Sequence, residues 1–268
     1  MDGIGSNLLI ILIALLLVEA AWSRLRDRGV YNLKETAANI GIAIGSNLIK
    51  PFSLAWKYFI FSLIEPIQFY TLPKTGWVFL LTFLVADCAY YWYHRLSHEI
   101  PLMWTMHHTH HSSLWYNLTT AVRLNWLANF VSPLFFAPLV LAGFSPLWVT
   151  ASLALGLFYQ FFLHTEAVPR LGRFEGLLLN TPSAHRVHHG SNSQYIDKNY
   201  GGALIIWDRL FGTYEAEGEK VRYGVTSGFV GHNPFVIQFA PLVKYVRGEW
   251  RREKELDRLE SNRSTTTT

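Results

Sequence analysis

Long apolar segments separated by short polar ones fill the first 163 residues of the chain. The apolar segments are residues 6–22, 36–65, 76–93, 126–143 and 147–163. A helix needs about 20 apolar residues to cross the hydrocarbon core of a bilayer, so the pattern predicts about four to five membrane spans. Pro51 lies near the middle of the second segment, which is predicted as one kinked helix or two short ones. The turn Gly143–Pro146 predicts a helical hairpin between the last two segments.

The remainder of the chain is more polar, and no long apolar segment follows Thr165. The predicted fold class is therefore an all-α integral membrane helical bundle with a helical cytoplasmic cap. Residues 1–75 are predicted to form N-terminal membrane anchor helices, residues 76–240 a central domain, and residues 241–268 a charged tail. Alternating charges predict a solvated or interfacial helix over Glu249–Arg258, and the terminal STTTT is predicted to be disordered.

The position of the basic residues predicts the orientation of the chain. Asp2 precedes the first apolar segment, while Arg24, Arg26 and Arg28 follow it, which is the reverse of a secretory signal peptide. Because cytoplasmic loops carry the excess of Lys and Arg, the N-terminus is predicted to lie outside. The polar segments that hold the histidines then face the cytoplasm. We predict an integral membrane protein of a bacterial inner membrane or the endoplasmic reticulum.

The composition excludes several classes of protein. Only 16% of the residues are charged, and the net charge of +4 is not clustered on one element, which argues against a nucleic-acid partner. Cys88 is the single cysteine, so a disulfide within the chain, a cysteine-ligated zinc and an iron–sulfur cluster are all excluded. Nitrogen and oxygen atoms must therefore hold any bound metal.

The spacing of the histidines predicts such a metal site. Two of the three clusters have the spacing i, i+3, i+4 and the other has i, i+4, so each presents imidazoles on one helix face. Thr181 and Pro182 predict the start of the helix that carries the last cluster. His164 ends an apolar segment at the same predicted depth. The predicted metal ligands are His94, His98, His107, His110, His111, His164, His185, His188 and His189. They exceed the four ligands of one tetrahedral zinc and indicate two metal ions.

Other polar residues near these clusters have weaker predictions. His108 points off the shared helix face, and His232 is isolated, so neither is predicted to bind metal. Asp87 lies within an apolar segment on the face of His94, and it is predicted to hold the second ring nitrogen of that histidine. Glu99 directly follows His98, and either a role in proton handling or an ordinary surface position is open. Arg123 is predicted as an interfacial anchor or a contact to a lipid head group.

These motifs resemble the integral-membrane fatty acid hydroxylase and sterol desaturase superfamily, whose pattern is HxxxH, HxxHH and HxxHH. The stretches DCAYYWYHRLSHEIPLMW, LNTPSAHRVHHGSN and YIDKNYGGALIIWDRLFGTYEAE are similar to the alkylglycerol monooxygenase branch. The resemblance implies a membrane-bound non-haem di-iron monooxygenase that hydroxylates a lipid C–H bond with O₂ and requires the acid Glu99. A catalytic role for Asp87 is predicted from its position inside an apolar segment. The resemblance also implies cleavage of ether lipids, with tetrahydrobiopterin or another external electron donor as reductant.

Two alternatives remain open from the sequence. A sterol or carotenoid hydroxylase or desaturase would use the same metal core on a different substrate. A membrane metal-binding or transport protein is a third hypothesis, although a transporter is expected to hold its ligands near the bilayer midplane. The ligand types alone do not distinguish iron from zinc.

Overall fold

The computed structural model describes residues 2–249, which form ten α-helices joined by loops and short 3₁₀ turns. The helices are α1 (Asp2–Leu25), α2 (Leu33–Ile64), α3 (Gly76–Glu99), α4 (Pro101–His111), α5 (Ala128–Val131), α6 (Pro133–Leu141), α7 (Pro146–Phe161), α8 (Pro182–His188), α9 (Ile206–Leu210) and α10 (Pro234–Val246). Within the described range no β-strand occurs, and a single β-bridge joins Leu179 to Leu204. The predicted all-α class is confirmed.

Helix α2 resolves one of the alternatives left by the sequence. It runs unbroken for 32 residues with Pro51 inside it, so this segment is one helix. Its start is fixed by Asn32, whose side-chain oxygen accepts hydrogen bonds from the amides of Lys34 and Glu35. Such a cap satisfies amides that have no partner within the helix.

The segment 126–143 does not form the single helix that its apolar character predicts. It divides into α5 and α6, which contain four and nine residues. Pro133 opens α6 at the first helical position, where a missing amide hydrogen costs least. Among the helices of residues 2–249, none combines the length and the apolar character needed to cross a membrane.

The main core forms where α3 packs against α6 and α7. Its fully buried side chains come from four helices: Phe61, Ala86, Phe136, Val140 and Val149. α3 also packs against α4, and α10 covers the other side of α4. The histidine-bearing helix α4 is thereby held between two neighbours.

The predicted boundary between residues 240 and 241 lies close to the end of the described chain. That boundary falls inside α10, which continues to Val246. The residues beyond Glu249, including most of the predicted charged helix and the STTTT segment, lie outside the described residues.

Gly143 lies in the turn between α6 and α7, at a position where we expect the chain to require glycine. Gly143 has φ +105°, and a Cβ atom there would lie 2.1 Å from the carbonyl oxygen of Tyr70. We expect Gly143→Ala to lower the free energy of unfolding by more than the roughly 1–2 kcal/mol that a left-handed backbone costs an alanine. Gly212→Ala is the matched control, because Gly212 has φ +74° with no atom near the added Cβ. Equal losses in thermal unfolding would show that the contact with Tyr70 does not matter.

Candidate metal centre

Nine buried or half-buried histidines meet at the ends of four structural segments and divide into two groups. The first group, called here the five-histidine group, contains His94, His98, His107, His111 and His188. The second, the four-histidine group, contains His110, His164, His185 and His189. Within each group the candidate ligand atoms all lie within 4.8 Å of one another. The set equals the nine ligands predicted from the sequence.

Helix geometry explains how three sequence clusters reach one place. α3 continues without a break through His94 and His98, which lie one turn apart. Pro101 then starts α4 directly after the bend at Ile100, so the second cluster folds back beside α3. α8 begins at Pro182 after the N-cap Thr181, whose hydroxyl accepts a hydrogen bond from the amide of Ala184. These local starts and stops confirm the predicted helix spacing.

Burial keeps the imidazoles uncharged. Loss of hydration lowers the pKa of His94 and of His164 to about 4. The same cause, with repulsion from neighbouring imidazoles, lowers the pKa values of His107 and His189 well below the ordinary value. Neutral imidazole is the form that binds a metal ion, so the site is prepared for metal at neutral pH.

Backbone carbonyls fix which nitrogen faces the centre in four of the nine rings. The Nδ1 atom of His94 lies 2.7 Å from the carbonyl oxygen of Tyr200, and that of His188 lies 3.0 Å from the carbonyl of Lys198. In the other group, Nδ1 of His164 lies 2.8 Å from the Gln160 carbonyl. A carbonyl oxygen only accepts, so each Nδ1 must carry the proton and donate it. The Nε2 atoms are then lone-pair donors for a metal.

The distances between these Nε2 atoms test whether the residues fit a metal. Nε2 of His164 lies 3.1 Å from Nε2 of His110. His110 also directs Nδ1 at a carbonyl, that of Arg123, at 3.3 Å. Both Nε2 atoms therefore present lone pairs to each other in a buried space, where neither can donate a hydrogen bond. A cation between them removes this repulsion, so the donor set fits a metal ion.

The buried nitrogens that have no hydrogen-bond partner support the same fit. Nε2 of His188 and Nε2 of His189 are buried without one. An unsatisfied buried polar atom costs free energy, and native proteins rarely keep several together. All donors are imidazole nitrogens, which suit iron, zinc, copper and nickel.

A tight loop holds the carbonyls that orient the five-histidine group. The Asp208 carboxylate accepts hydrogen bonds from the amides of Tyr200 and Gly201, each at 2.7 Å. Asn199 adopts a left-handed conformation with φ +56°, and its side chain donates to the carbonyls of Ala184 and Glu215. Hydrogen bonds of Asn199 and of the Gly201 amide therefore fix this loop before and after Tyr200. Sequence analysis did not find this role for Asp208.

Arg123 has a different role from the one predicted. It is fully buried, so the predictions of a head-group contact and an interfacial anchor are both wrong. Its guanidinium forms an ion pair with Glu35 at 3.0 Å and donates to the carbonyl of Thr109 and the side chain of Asn39. Because its own carbonyl faces His110, Arg123 connects α2 to the four-histidine group.

Glu19 is a second buried carboxylate that sequence analysis missed. It lies on α1 and accepts hydrogen bonds from the Tyr31 hydroxyl at 2.6 Å, the Leu118 amide at 2.8 Å and the Thr165 hydroxyl. Thr165 directly follows His164, so Glu19 ties α1 to the segment that carries this ligand. A lone acid inside an otherwise apolar helix was the signal that could have found it.

The predicted contact between Asp87 and His94 is wrong. The Asp87 carboxylate accepts instead from the amides of Ala203 and Leu204 and from the indole nitrogen of Trp207. It therefore caps the loop that follows Tyr200, while Tyr200 itself holds His94. Two amides and one indole satisfy this carboxylate better than a single imidazole does, because they supply three fixed donors.

The remaining predicted residues lie at the margin of the site. Glu99 pairs with Arg95 at 2.9 Å and is partly exposed. His108 is buried but belongs to neither histidine group, and its Nε2 atom lies 3.2 Å from the Ser227 hydroxyl. His232 contacts Glu35 at 2.8 Å, far from both groups along the chain. Both histidines stay outside the groups, as predicted.

Comparison with known proteins identifies the class to which this site belongs. The sequence model of the fatty acid hydroxylase family matches residues 79–213, which is half of the chain. The chain belongs to the fatty acid hydroxylase family.

Individual proteins with similar sequences show which members of the family this chain resembles. The chain is 50% identical over 177 residues to the alkylglycerol monooxygenase of Homo sapiens. That alignment covers 65% of this chain and 39% of the human protein. It is 49% identical over 160 residues to the alkylglycerol monooxygenase of Danio rerio, covering 59% of this chain and 35% of that protein. The ornithine lipid hydroxylase OlsE of Rhizobium tropici is 34% identical over 142 residues, covering 50% and 41%. The aligned region thus spans about two fifths of these relatives, and no solved structure matches.

Acid should destabilise the metal-free protein. The folded-state pKa values of His94 and His164 lie near 4, below the unfolded value of about 6.5. The folded protein therefore binds fewer protons than the unfolded chain, and stability present above about pH 6.5 is lost as the pH falls toward 4. Each pKa unit corresponds to about 1.4 kcal/mol per histidine. Denaturant unfolding of chelator-treated protein measures this loss, and equal stability at about pH 7 and pH 5 would contradict it.

Asp208→Asn tests the loop that positions His94. The amide offers one acceptor oxygen where the carboxylate uses two, so the bond to either Tyr200 or Gly201 is lost. We expect metal affinity to fall about 10–100-fold, as for other partners that orient ligands. Competition with a chelator measures the affinity, and the exposed Glu219→Gln is the control for loss of a charge. Unchanged affinity would show that Asp208 does not position the ligand.

Proposed function

We propose that this chain is the catalytic part of a membrane-associated, non-haem di-iron monooxygenase that hydroxylates a lipid C–H bond with O₂. The observation that carries the proposal is the opposed Nε2 lone pairs of His110 and His164 at 3.1 Å within a nine-histidine centre. Membership of the fatty acid hydroxylase family supports iron and a lipid substrate. The alkylglycerol monooxygenases at about 50% identity favour an ether lipid over a sterol or carotenoid.

The residues of the site supply what such a reaction needs from the protein. Nine imidazoles offer their ring nitrogens without an added carboxylate. Four of them, His94, His110, His164 and His188, direct Nδ1 at a backbone carbonyl. The five-histidine group offers one more donor than the four-histidine group. When bound, two iron ions would supply the site for O₂ and the oxidising power for the C–H bond. Burial excludes bulk water from this space.

The overall reaction consumes a lipid C–H bond, O₂, two electrons and two protons, and it releases the hydroxylated lipid and water. For an ether lipid hydroxylated on the carbon beside the ether oxygen, the product is a hemiacetal. The hemiacetal breaks its C–O bond to give an aldehyde and a free hydroxyl on the glycerol. We propose tetrahydrobiopterin or another external electron donor as the source of the two electrons.

Membrane association is part of this proposal. Large apolar side chains remain exposed along α1, α2, α3 and α7, among them Leu17, Leu48, Phe52, Leu80 and Leu155. Contiguous exposed apolar surface on this scale marks an interaction with lipid or protein. We propose that it contacts the bilayer, that residues 1–75 form its anchor, and that the histidine centre faces the cytoplasm.

Two acidic residues keep a proposed role in the reaction. The role of Glu99 rests on the family resemblance, and that of Asp87 is to position the loop that holds His94. Glu99 is placed near His98 and pairs with Arg95, so it can carry protons between solvent and the five-histidine group. Asp87 acts through the loop that it caps, which leads to the Tyr200 carbonyl.

Single substitutions in the two groups test the metal-dependent function. His110→Ala removes a donor from the four-histidine group and His188→Ala removes one from the five-histidine group. We expect each variant to lose bound iron and to lose O₂-dependent oxidation of an alkylglycerol by about 100-fold or more, because the remaining imidazoles cannot complete the coordination. Metal analysis of anaerobically purified protein and an aldehyde assay with reduced pterin measure both effects.

The control for this experiment is Lys220→Ala, which removes an exposed side chain outside both groups. It should retain iron and turnover. Wild-type protein without metal, or a His110→Ala variant with normal turnover, would show that the proposed function is wrong.

A further inference from the structure

A surface beside the four-histidine group combines exposed leucines with arginines. We call it the leucine–arginine lip. Its apolar side chains are between 46% and 69% exposed, and they are Leu171, Phe174, Leu177, Leu178, Leu179 and Leu210. Its basic side chains are Arg170, Arg173 and Arg209, all exposed. Three consecutive exposed leucines in one loop are costly in water unless a partner covers them.

The lip is held in place by its backbone. The Glu175 carboxylate is buried and accepts from the amide of Leu171 at 2.9 Å and from the Thr181 hydroxyl. Further along, the carbonyl of Leu178 accepts from the amide of Ile205 at 2.9 Å. The loop is thus tied to the body while its leucines point outward. Their exposure belongs to a fixed surface that is ready for a partner.

The lip continues an apolar face that already runs along α7. Leu155 and Phe158 are exposed on that helix, and the exposed Phe162 follows directly after its last residue. The Tyr159 hydroxyl donates to the carbonyl of Asn180 at 2.6 Å, which joins the end of α7 to the end of the lip. One apolar surface therefore passes from the helix into the loop.

The charges at the edge of this surface favour an anionic partner. The exposed run from Ala167 to Phe174 carries two arginines and no acid, and the nearby Glu175 is buried inside the loop. Arg209 lies on the other side and donates to the carbonyl of Gly176. An apolar patch edged with arginines matches a monolayer of anionic lipid, where acyl chains lie beneath phosphate groups.

We propose that the leucine–arginine lip inserts its apolar side chains into an anionic lipid surface, with Arg170 and Arg173 at the level of the phosphates. This inference rests on the membrane association in the proposed function. It specifies which surface enters the bilayer and that the preferred lipid is anionic. The lip connects His164 to His185 along the chain, and Glu175 bonds the N-cap of α8. Lipid bound there lies beside the four-histidine group.

A fluorescent label at the lip tests the insertion directly. In a Cys88→Ser background, Leu178→Cys is labelled with an environment-sensitive dye, and the full chain is placed in phosphatidylglycerol nanodiscs with brominated acyl chains. We expect quenching close to that of a label at Leu155→Cys on the apolar face of α7. A label at the exposed Lys220→Cys should be quenched little. Quenching at Leu178 no greater than at Lys220 would overturn the inference.

This readout separates the inference from the proposed function, because quenching does not require turnover. Quenching at Leu178 without lipid oxidation by the wild type would support the lip and contradict the monooxygenase. Normal oxidation without quenching at Leu178 would do the reverse.

The arginines provide a second test. The double variant Arg170→Gln/Arg173→Gln should raise the apparent KM in phosphatidylglycerol about fivefold per arginine, since each basic residue near an anionic surface contributes about that factor. It should have the wild-type KM in phosphatidylcholine and in detergent, and Lys220→Gln should have the wild-type KM throughout. An equal effect in neutral lipid would overturn the role of phosphate. A loss seen only with a protein electron donor, and absent with a chemical reductant, would assign the surface to that protein and overturn the inference.

Discussion

Opposed lone pairs of buried, neutral imidazoles are the constraint on which the rest of this structure depends. His110 and His164 each donate a proton outward to a carbonyl, so their inner nitrogens face each other at 3.1 Å without a hydrogen bond. Burial lowers the pKa of these rings, and protonation cannot relieve the repulsion at neutral pH. The arrangement is favourable only around a cation. Metal binding therefore contributes directly to the stability of this region.

The rest of the fold supplies fixed carbonyls at the right distance from that centre. They come from the end of α7, from the segment after α4 and from the loop before α9, which are far apart in the sequence. Two of the three are fixed by buried charged groups: Arg123 pairs with Glu35, and Asp208 accepts from the Tyr200 amide. Glu19 binds Thr165, the residue next to the ligand His164. Buried charges are retained at a cost in desolvation, and here each satisfies several polar groups at once. A simple helical core would not need these buried charged residues. They are needed here because they hold the segments that orient the imidazoles.

The sequence predicted which histidines come together, because helix spacing is local. His185, His188 and His189 follow a legible helix start at Thr181, and the structure places them on one short helix. The division into five and four histidines was not predictable, since it depends on how α4 packs between α3 and α10. The same limit explains Asp87 and Arg123, because each has partners more than 80 residues away along the chain.

The segment 126–143 shows a different limit of the sequence argument. Its apolar character predicted one long helix, but apolar length does not report a break in the backbone. Pro133 was visible and favours a helix start, which is where α6 begins. Glu19 was visible as well, and only the structure shows that its three donors come from separate segments.

X-ray absorption at the iron edge of the anaerobically purified protein tests the central claim most directly. The account predicts iron surrounded by nitrogen at about 2.1 Å, with outer-ring scattering from four to five imidazoles per metal, the two groups averaged. It also predicts a second iron as a neighbouring scatterer. A sulfur shell, or an iron with mostly oxygen neighbours and one or two imidazoles, would contradict a centre built from these nine histidines.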